Sequence, residues 1–278
     1  TFGTDYTTTD HSTGLVWKSC SEGLHGPTCG SGSSLHSNRS LAANACSALN
    51  NVHAGAGYAG RTDWRIPTVK ELYTIMNYDG QSPTGFLASF PGMLASSYWT
   101  SNMVPPPIVD FFWAPGFNRG RVNFTHVNDV SPSVLCVSPG PGLPSPEYID
   151  HGDGTVTDRS TGLTWQKCNR GQNNDSACTG TGTQQTWTDA LAYCNSLNLA
   201  GRNWRLPSVN ELKSLANYST ANPAVNTSMF PGTRADFYWS ATTVLSNTSR
   251  AWVVWFQHGT LDETYGKNEL FRVQCVSD

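Results

Sequence analysis

Apolar positions along the chain fall into two kinds of run. Leu41, Ala42, Ala45, Cys46 and Leu49 recur at helical spacing, and so do Val69, Leu72 and Ile75. Each set predicts a helix. The second helix is announced at two places in the chain by a capping box, Thr68-x-x-Glu71 and Ser208-x-x-Glu211, each just after a proline, Pro67 or Pro207. In such a box the hydroxyl and the carboxylate satisfy the first free backbone N–H groups. Shorter runs rich in aromatic and β-branched residues, Tyr98-Trp99-Thr100, Trp252 to Phe256 and Arg272 to Val276, read as strands parted by polar loops. The predicted order is strand, helix, helix, then several strands.

That order is used twice. Asp10-His-Ser-Thr-Gly-Leu-Val-Trp17-Lys-Ser-Cys20 returns as Asp158-Arg-Ser-Thr-Gly-Leu-Thr-Trp165-Gln-Lys-Cys168, and Cys46-Ser-Ala-Leu-Asn50 as Cys194-Asn-Ser-Leu-Asn198. Farther on, Gly60 to Leu72 matches Gly201 to Leu212, Asn77-Tyr78 matches Asn217-Tyr218, and Phe90-Pro-Gly92 matches Phe230-Pro-Gly232. Tyr98-Trp99 then matches Tyr238-Trp239, and Cys136-Val-Ser138 matches Cys275-Val-Ser277. Collinear similarity of this kind means one fold repeated. A Pro/Gly spacer over 139–146, following Ser138, separates a first copy, 1–138, from a second, 147–278. Either half is long enough to bury its own core. The fold class expected is α+β, with two helices, antiparallel strands and disulfides in each copy.

Charge narrows the function. Lys and Arg number 17 against 20 Asp and Glu, so no strong field favours nucleic acid. The longest apolar run, Ala251 to Phe256, falls far short of the roughly 18 residues a membrane span needs. The chain opens at Thr1 without an initiator Met, as expected of a mature or trimmed chain whose signal peptide is gone. Eight cysteines, Cys20, Cys29, Cys46 and Cys136 with Cys168, Cys178, Cys194 and Cys275, point to an oxidising compartment, and the protein is read as secreted or on a cell surface. Cys20 lies near Cys29 and Cys168 near Cys178, which suggests short bridges and leaves Cys46 with Cys136 and Cys194 with Cys275. Four cysteines still allow three pairings in each copy.

Catalytic signatures are few. Gly55-Ala-Gly-Tyr-Ala-Gly60 has the spacing of a dinucleotide loop but follows a helix and lies in an insertion missing from the second copy, so a flexible loop is expected. No H-x-x-x-H, C-x-x-C or G-x-S-x-G occurs. Glu71 and Glu211 are explained by capping, and Arg65 and Arg205 by locking the loop before the helix. Six tryptophans at matching positions, Trp17 with Trp165, Trp64 with Trp204 and Trp99 with Trp239, suit a shared core. Trp187 and Trp255 lack a matching Trp and have the flat apolar face on which a sugar ring stacks.

Asp153-Gly-Thr-Val-Thr-Asp158 with Thr161-Gly-Leu-Thr-Trp165, Trp204-Arg-Leu-Pro with Glu211-Leu212, Tyr238-Trp239-Ser240 and Arg272-Val-Gln-Cys275-Val276 together resemble the C-terminal domain family of the Legionella collagen-like adhesin. The resemblance covers nearly the whole chain. It implies a C-type-lectin-like fold in each copy, a disulfide from helix to last strand, a bacterial surface location and adhesion; the namesake domain looks like a binder of sulfated glycans. The first copy departs from the pattern, lacking the Asp-Gly of the opening turn and carrying Ser133 where Arg272 is expected. Formylglycine-generating enzymes share a lectin-like fold and use cysteine, a route closed if every cysteine is paired.

In this fold class the loops between late strands carry the ligand contacts. The candidates are Asn118, Arg119, Arg121, Asn123, His126 and Asn128 in the first copy, and Gln257, His258, Asp262, Glu263, Tyr265, Lys267 and Asn268 in the second. No cofactor is expected, calcium on Asn128-Asp129, or on Asp262, Glu263 and Asn268, being the one candidate; Asp150, Asp153 and Asp158 read as turn residues. The chain is read as a binding protein rather than an enzyme, its partner a glycan or a surface protein. Linked copies raise a weak single-site affinity, and oligomers are compatible with this reading.

Overall fold

The computed structural model describes residues 3–76, 78, 89–118, 120–139 and 147–278. The chain divides into two compact units, Thr1–Leu143 and Pro144–Asp278. The division falls in the Pro/Gly segment, of which residues 140–146 lie outside the described residues, as does Asn77.

In the first unit, β1 (Thr7–Thr9) pairs antiparallel with β2 (Val16–Lys18). A two-residue ribbon, β3 (Leu24–His25) with β4 (Ser31–Gly32), precedes α1 (Arg39–Ala48) and α2 (Val69–Thr74). The hairpin β5 (Phe111–Pro115) with β6 (Val122–His126) follows, and β7 (Val137–Ser138) returns to lie beside β2. The last strand of the unit therefore joins the sheet of its opening strands, with β2 between β1 and β7.

The second unit repeats the order with longer strands. β8 (Tyr148–Asp150), β9 (Thr155–Asp158) and β10 (Leu163–Gln166) form a sheet closed by the terminal β14 (Val276–Ser277). Between them come α3 (Trp187–Ser196), α4 (Val209–Ser214) and an antiparallel sheet of β11 (Phe237–Thr243), β12 (Ala251–Trp255) and β13 (Thr260–Asp262). The unit is mixed α and β, as is the first.

Two expectations change. Arg272 to Val276 is extended but is not one strand: the chain there crosses from β11, where Arg272 bonds Phe237 and Trp239, to β10, where the Cys275 carbonyl accepts from Gln166 N. Tyr98-Trp99-Thr100 forms only isolated bridges, although its counterpart lies in β11.

Each core is built around the matched tryptophans, Trp17, Trp64 and Trp99 in one unit and Trp165, Trp204 and Trp239 in the other, all at most 5% exposed. Helix α1 buries Ala42 and Cys46 but leaves Leu41 exposed, so its apolar face is narrower than its periodicity suggests. Buried tyrosines fix the approach to the late strands: Tyr98 Oη lies 3.0 Å from Ser21 Oγ, and Tyr238 Oη accepts from Asn169 Nδ2 at 3.0 Å.

Candidate functional site

The late strands rise from a frame clamped at equivalent points. Disulfides join Cys20 to Cys29, Cys46 to Cys136, Cys168 to Cys178 and Cys194 to Cys275, so no thiolate is available for chemistry. The long bridge of each unit ties its first helix to the residue just before its last strand. Ahead of α2, Arg65 donates to both oxygens of Glu71 at 2.8 and 2.6 Å, and ahead of α4 Arg205 holds Glu211 at 2.8 Å twice. Glu71 and Glu211 also accept from the N–H of Thr68 and Ser208 at 2.7 Å, completing both capping boxes. Burial works against these carboxylates, yet the arginine and N–H bonds outweigh it and hold both below the usual glutamate range. These four residues are spent on the frame.

In the first unit the sequence candidates spread along the β5–β6 hairpin. Asn118 and Arg121 flank its turn, where the Arg121 carbonyl accepts from Gly116 N at 2.8 Å; Arg119 lies outside the described residues. Asn123 stands opposite Ala114 and His126 opposite Phe111, on opposite faces because side chains alternate along a strand. The His126 ring meets Phe111 edge-on at 5.2 Å. Asn128 lies past the far end, its N–H 3.2 Å from His126 Nδ1. At about 3.4 Å per residue the hairpin holds its two ends roughly 15 Å apart. The structure brings together His126 and Asn128, and at the other end Asn118 and Arg121.

The second unit repeats this spread. Gln257 and His258 form the turn between β12 and β13, with the His258 ring against Trp255 at 5.5 Å and its pKa lowered by burial. At the end of β13, Asp262 Oδ1 accepts from the N–H and hydroxyl of Thr264 at 2.8 and 2.7 Å, and Glu263 follows it. Tyr265 packs against Phe237 and Phe271 at 4.9 and 5.0 Å. Lys267 Nζ sits 3.9 Å from the Trp187 ring centre and donates to Thr243 Oγ1 at 2.9 Å. The loop carrying exposed Asn268 is pinned by its backbone, Lys267 N to Ser249 O at 3.0 Å and Trp187 N to Lys267 O at 3.0 Å. Lys267 and Trp187 thus form one polar-aromatic corner, away from Gln257 and His258.

The six-residue glycine segment of the first copy is not a loose loop. Tyr58 N donates to Leu49 O and Ala59 N to Asp5 Oδ2, and the Tyr58 ring packs edge-on against Trp64 at 5.6 Å. Gly57 has φ +76° and a side chain there would strike Arg61 O. Sequence reasoning passed over Tyr58 and Tyr6, although an aromatic inside a glycine-rich insertion was a visible sign.

Acidic candidates for a cation are engaged locally. Asp129 accepts from Thr125 and Ser131, Asp153 from Thr155, Asp158 from Ser160, and Asp150 pairs with Lys167 at 2.6 Å. Among the described residues, no group of three or more His, Cys, Asp or Glu is placed to hold a metal ion, and no helix is long and apolar enough to cross a membrane.

One family model, described as the Lcl C-terminal domain, matches residues 6–138 and again residues 154–277. No curated protein matches the chain.

Proposed function

The chain belongs to the Lcl C-terminal domain family, carried in two tandem copies, and from that premise we propose that it is a non-catalytic, carbohydrate-binding bacterial adhesin working outside the cell. Four disulfides support an extracellular site of action. A last strand that returns to the sheet of the opening strands, with a bridge from the first helix to the residue before that last strand in each unit, supports a C-type-lectin-like frame.

The observation that carries the reading is the loop after β13. It is held through its backbone to Ser249 and Trp187, so exposed Asn268 and the Lys267 corner are presented in a fixed arrangement. A preorganised polar loop loses little conformational freedom on binding, which suits weak recognition of sugar hydroxyls raised by two linked copies. Binding of the purified, disulfide-intact chain to a broad glycan array, with calcium and again with chelator, tests this. Specific signals competed by free sugar support it, and their survival in chelator makes calcium dispensable; silence from folded protein overturns it.

A second reading has its own observation. Met103, Val109, Phe124 and Val130, all on or near the β5–β6 hairpin, are 41 to 68% exposed. Such apolar exposure favours a protein-interaction or assembly role in the cell envelope. Array silence with retained binding to cell-envelope protein would select it.

A further inference from the structure

We propose that the first unit binds a neutral monosaccharide in a cleft of its own, walled by Tyr6 and Tyr58 and separate from the late-strand loops. The ligand class rests on the carbohydrate reading above; the location does not. A cleft of about 480 Å³ opens between the β3–β4 ribbon and the glycine-rich insertion, lined by Asp5, Tyr6, Leu24, His25, Ser31 and Tyr58 among others. That volume lies within the usual range for small-ligand sites.

Its chemistry is that of a sugar pocket. Tyr6 and Tyr58 bring aromatic surface and hydroxyls, the Tyr58 hydroxyl lying 2.9 Å from Tyr6 N and so fixing one wall to the other. Asp5 Oδ2 takes the Ala59 N–H at 2.7 Å and His53 Nε2 at 2.9 Å, which leaves Oδ1 to accept from ligand hydroxyls. Ser31 and His25 add exchangeable donors and acceptors on the opposite side. Among the described residues, no lysine or arginine lines the cleft. Close by, Lys18 Nζ sits 5.9 Å from the Tyr58 ring and is committed to Cys20 O at 3.1 Å and Glu22 at 3.4 Å. A sulfated or phosphorylated ligand would find no lysine or arginine among these described lining residues, whereas an uncharged polyol meets matched hydrogen-bonding groups.

The second unit is built differently at this place. Tyr6 O accepts from Ser19 N at 2.9 Å, and Gly154 O accepts from Lys167 N at 2.8 Å, so Gly154 stands where Tyr6 does. A side chain at Gly154 would meet Asn174 and Leu199 at 3.1 and 3.3 Å. Tyr58 belongs to the insertion that the second copy lacks. Gln166, the match of Lys18, instead donates to Tyr193 from α3 at 2.8 Å, with Arg170 stacked on that ring at 4.7 Å. Both aromatic walls are therefore properties of the first copy.

Saturation-transfer NMR on the whole chain, with glucose, galactose, mannose and N-acetylglucosamine as probes beside glucose 6-sulfate and glucosamine, tests the assignment. At least one neutral sugar is expected to bind at millimolar concentration, and Tyr58→Ala and His25→Ala each to weaken it by about fivefold or more. His25 is exposed, so its variant reports on the cleft even if Tyr58→Ala fails to fold. Absence of transfer from folded protein to every neutral sugar overturns the proposal. So does preference for the sulfated or amino sugar, or binding undiminished in His25→Ala and in any folded Tyr58→Ala. Glycan-array signals that survive both substitutions while monosaccharide transfer is absent would remove the cleft and leave the adhesin reading standing.

Discussion

Arg39 and Trp187 open the first helix of their respective units at matching positions, and each donates from its side chain to a matching backbone carbonyl 2.9 Å away, Thr100 O for Arg39 Nε and Ser240 O for Trp187 Nε1. Around them the roles of cation and ring are exchanged. Arg39 lies 4.8 Å from the Phe112 ring, while Trp187 receives Lys267 at 3.9 Å. The position of Phe112, bridged to Met103, is taken in the second unit by Ala251, paired with Thr243, which makes room for the indole. One repeat places the charge on the helix and the ring on the strand; the other places the ring on the helix and the charge in the loop after β13.

This exchange predicts coupling. Ala251→Phe alone is expected to overpack the fully buried site beside Trp187 and cost about 1–3 kcal/mol. Combined with Trp187→Arg, the loss should be smaller than the sum of the two single changes. Chemical denaturation of the three variants measures the coupling, and strict additivity would show the two positions to be independent.

Lys267→Met should remove the cation from the Trp187 ring and its bond to Thr243, with a loss of about 1–2 kcal/mol. Urea unfolding followed by tryptophan fluorescence reports both the stability and the changed surroundings of the indole.

Glu211→Gln is expected to cost about 1–2 kcal/mol near neutral pH, through the weakened capping box and arginine clamp. The folded pKa of Glu211 lies below its ordinary value, so its stabilisation is present above that ordinary value and disappears as pH falls through the folded one. The stability gap between the parent and the variant should therefore close in acid. A gap that stays constant down to pH 2 would contradict the ionic account.

Lys213 is buried in α4, and burial lowers its pKa from 10.5 to about 7. A cationic group depressed on folding opposes the folded state, fully below pH 7 and progressively less as pH rises toward 10.5. Lys213→Met should stabilise the protein by about 1–4 kcal/mol at pH 6, with the gain shrinking by pH 10. Thermal melts at the two pH values decide it.

Loop length ranks the bridges. Cys194 and Cys275 are 81 residues apart and Cys168 and Cys178 only 10, so removing the first pair should cost about 4.5 kcal/mol and the second about 3. Paired Cys→Ala variants compared by thermal unfolding would show the order, and an inverted order would mean that the short bridge holds more than chain entropy.

Much of the frame is written locally and could be read before folding. The capping boxes at Thr68 and Ser208 depend on residues three apart, and the repeat, the matched tryptophans and the even set of cysteines are patterns along the chain. Arg65 and Arg205 were legible as loop locks because their partners lie six residues away. What lay beyond the sequence is everything made by distant segments meeting. Local rules place Asn118 and Asn128 in one polar stretch, but the hairpin puts them at opposite ends; the same holds for His258 and Lys267. The aromatic and β-branched character of its run makes Arg272 to Val276 read as a strand, whereas the chain there divides its hydrogen bonds between two sheets. Tyr58 read as part of a flexible insertion, and only its approach to Tyr6, 52 residues away, turns it into the wall of a cleft. Sequence patterns encode which faces are apolar and where helices begin; which polar side chains share one site depends on long-range closure, and that is decided only when the core packs.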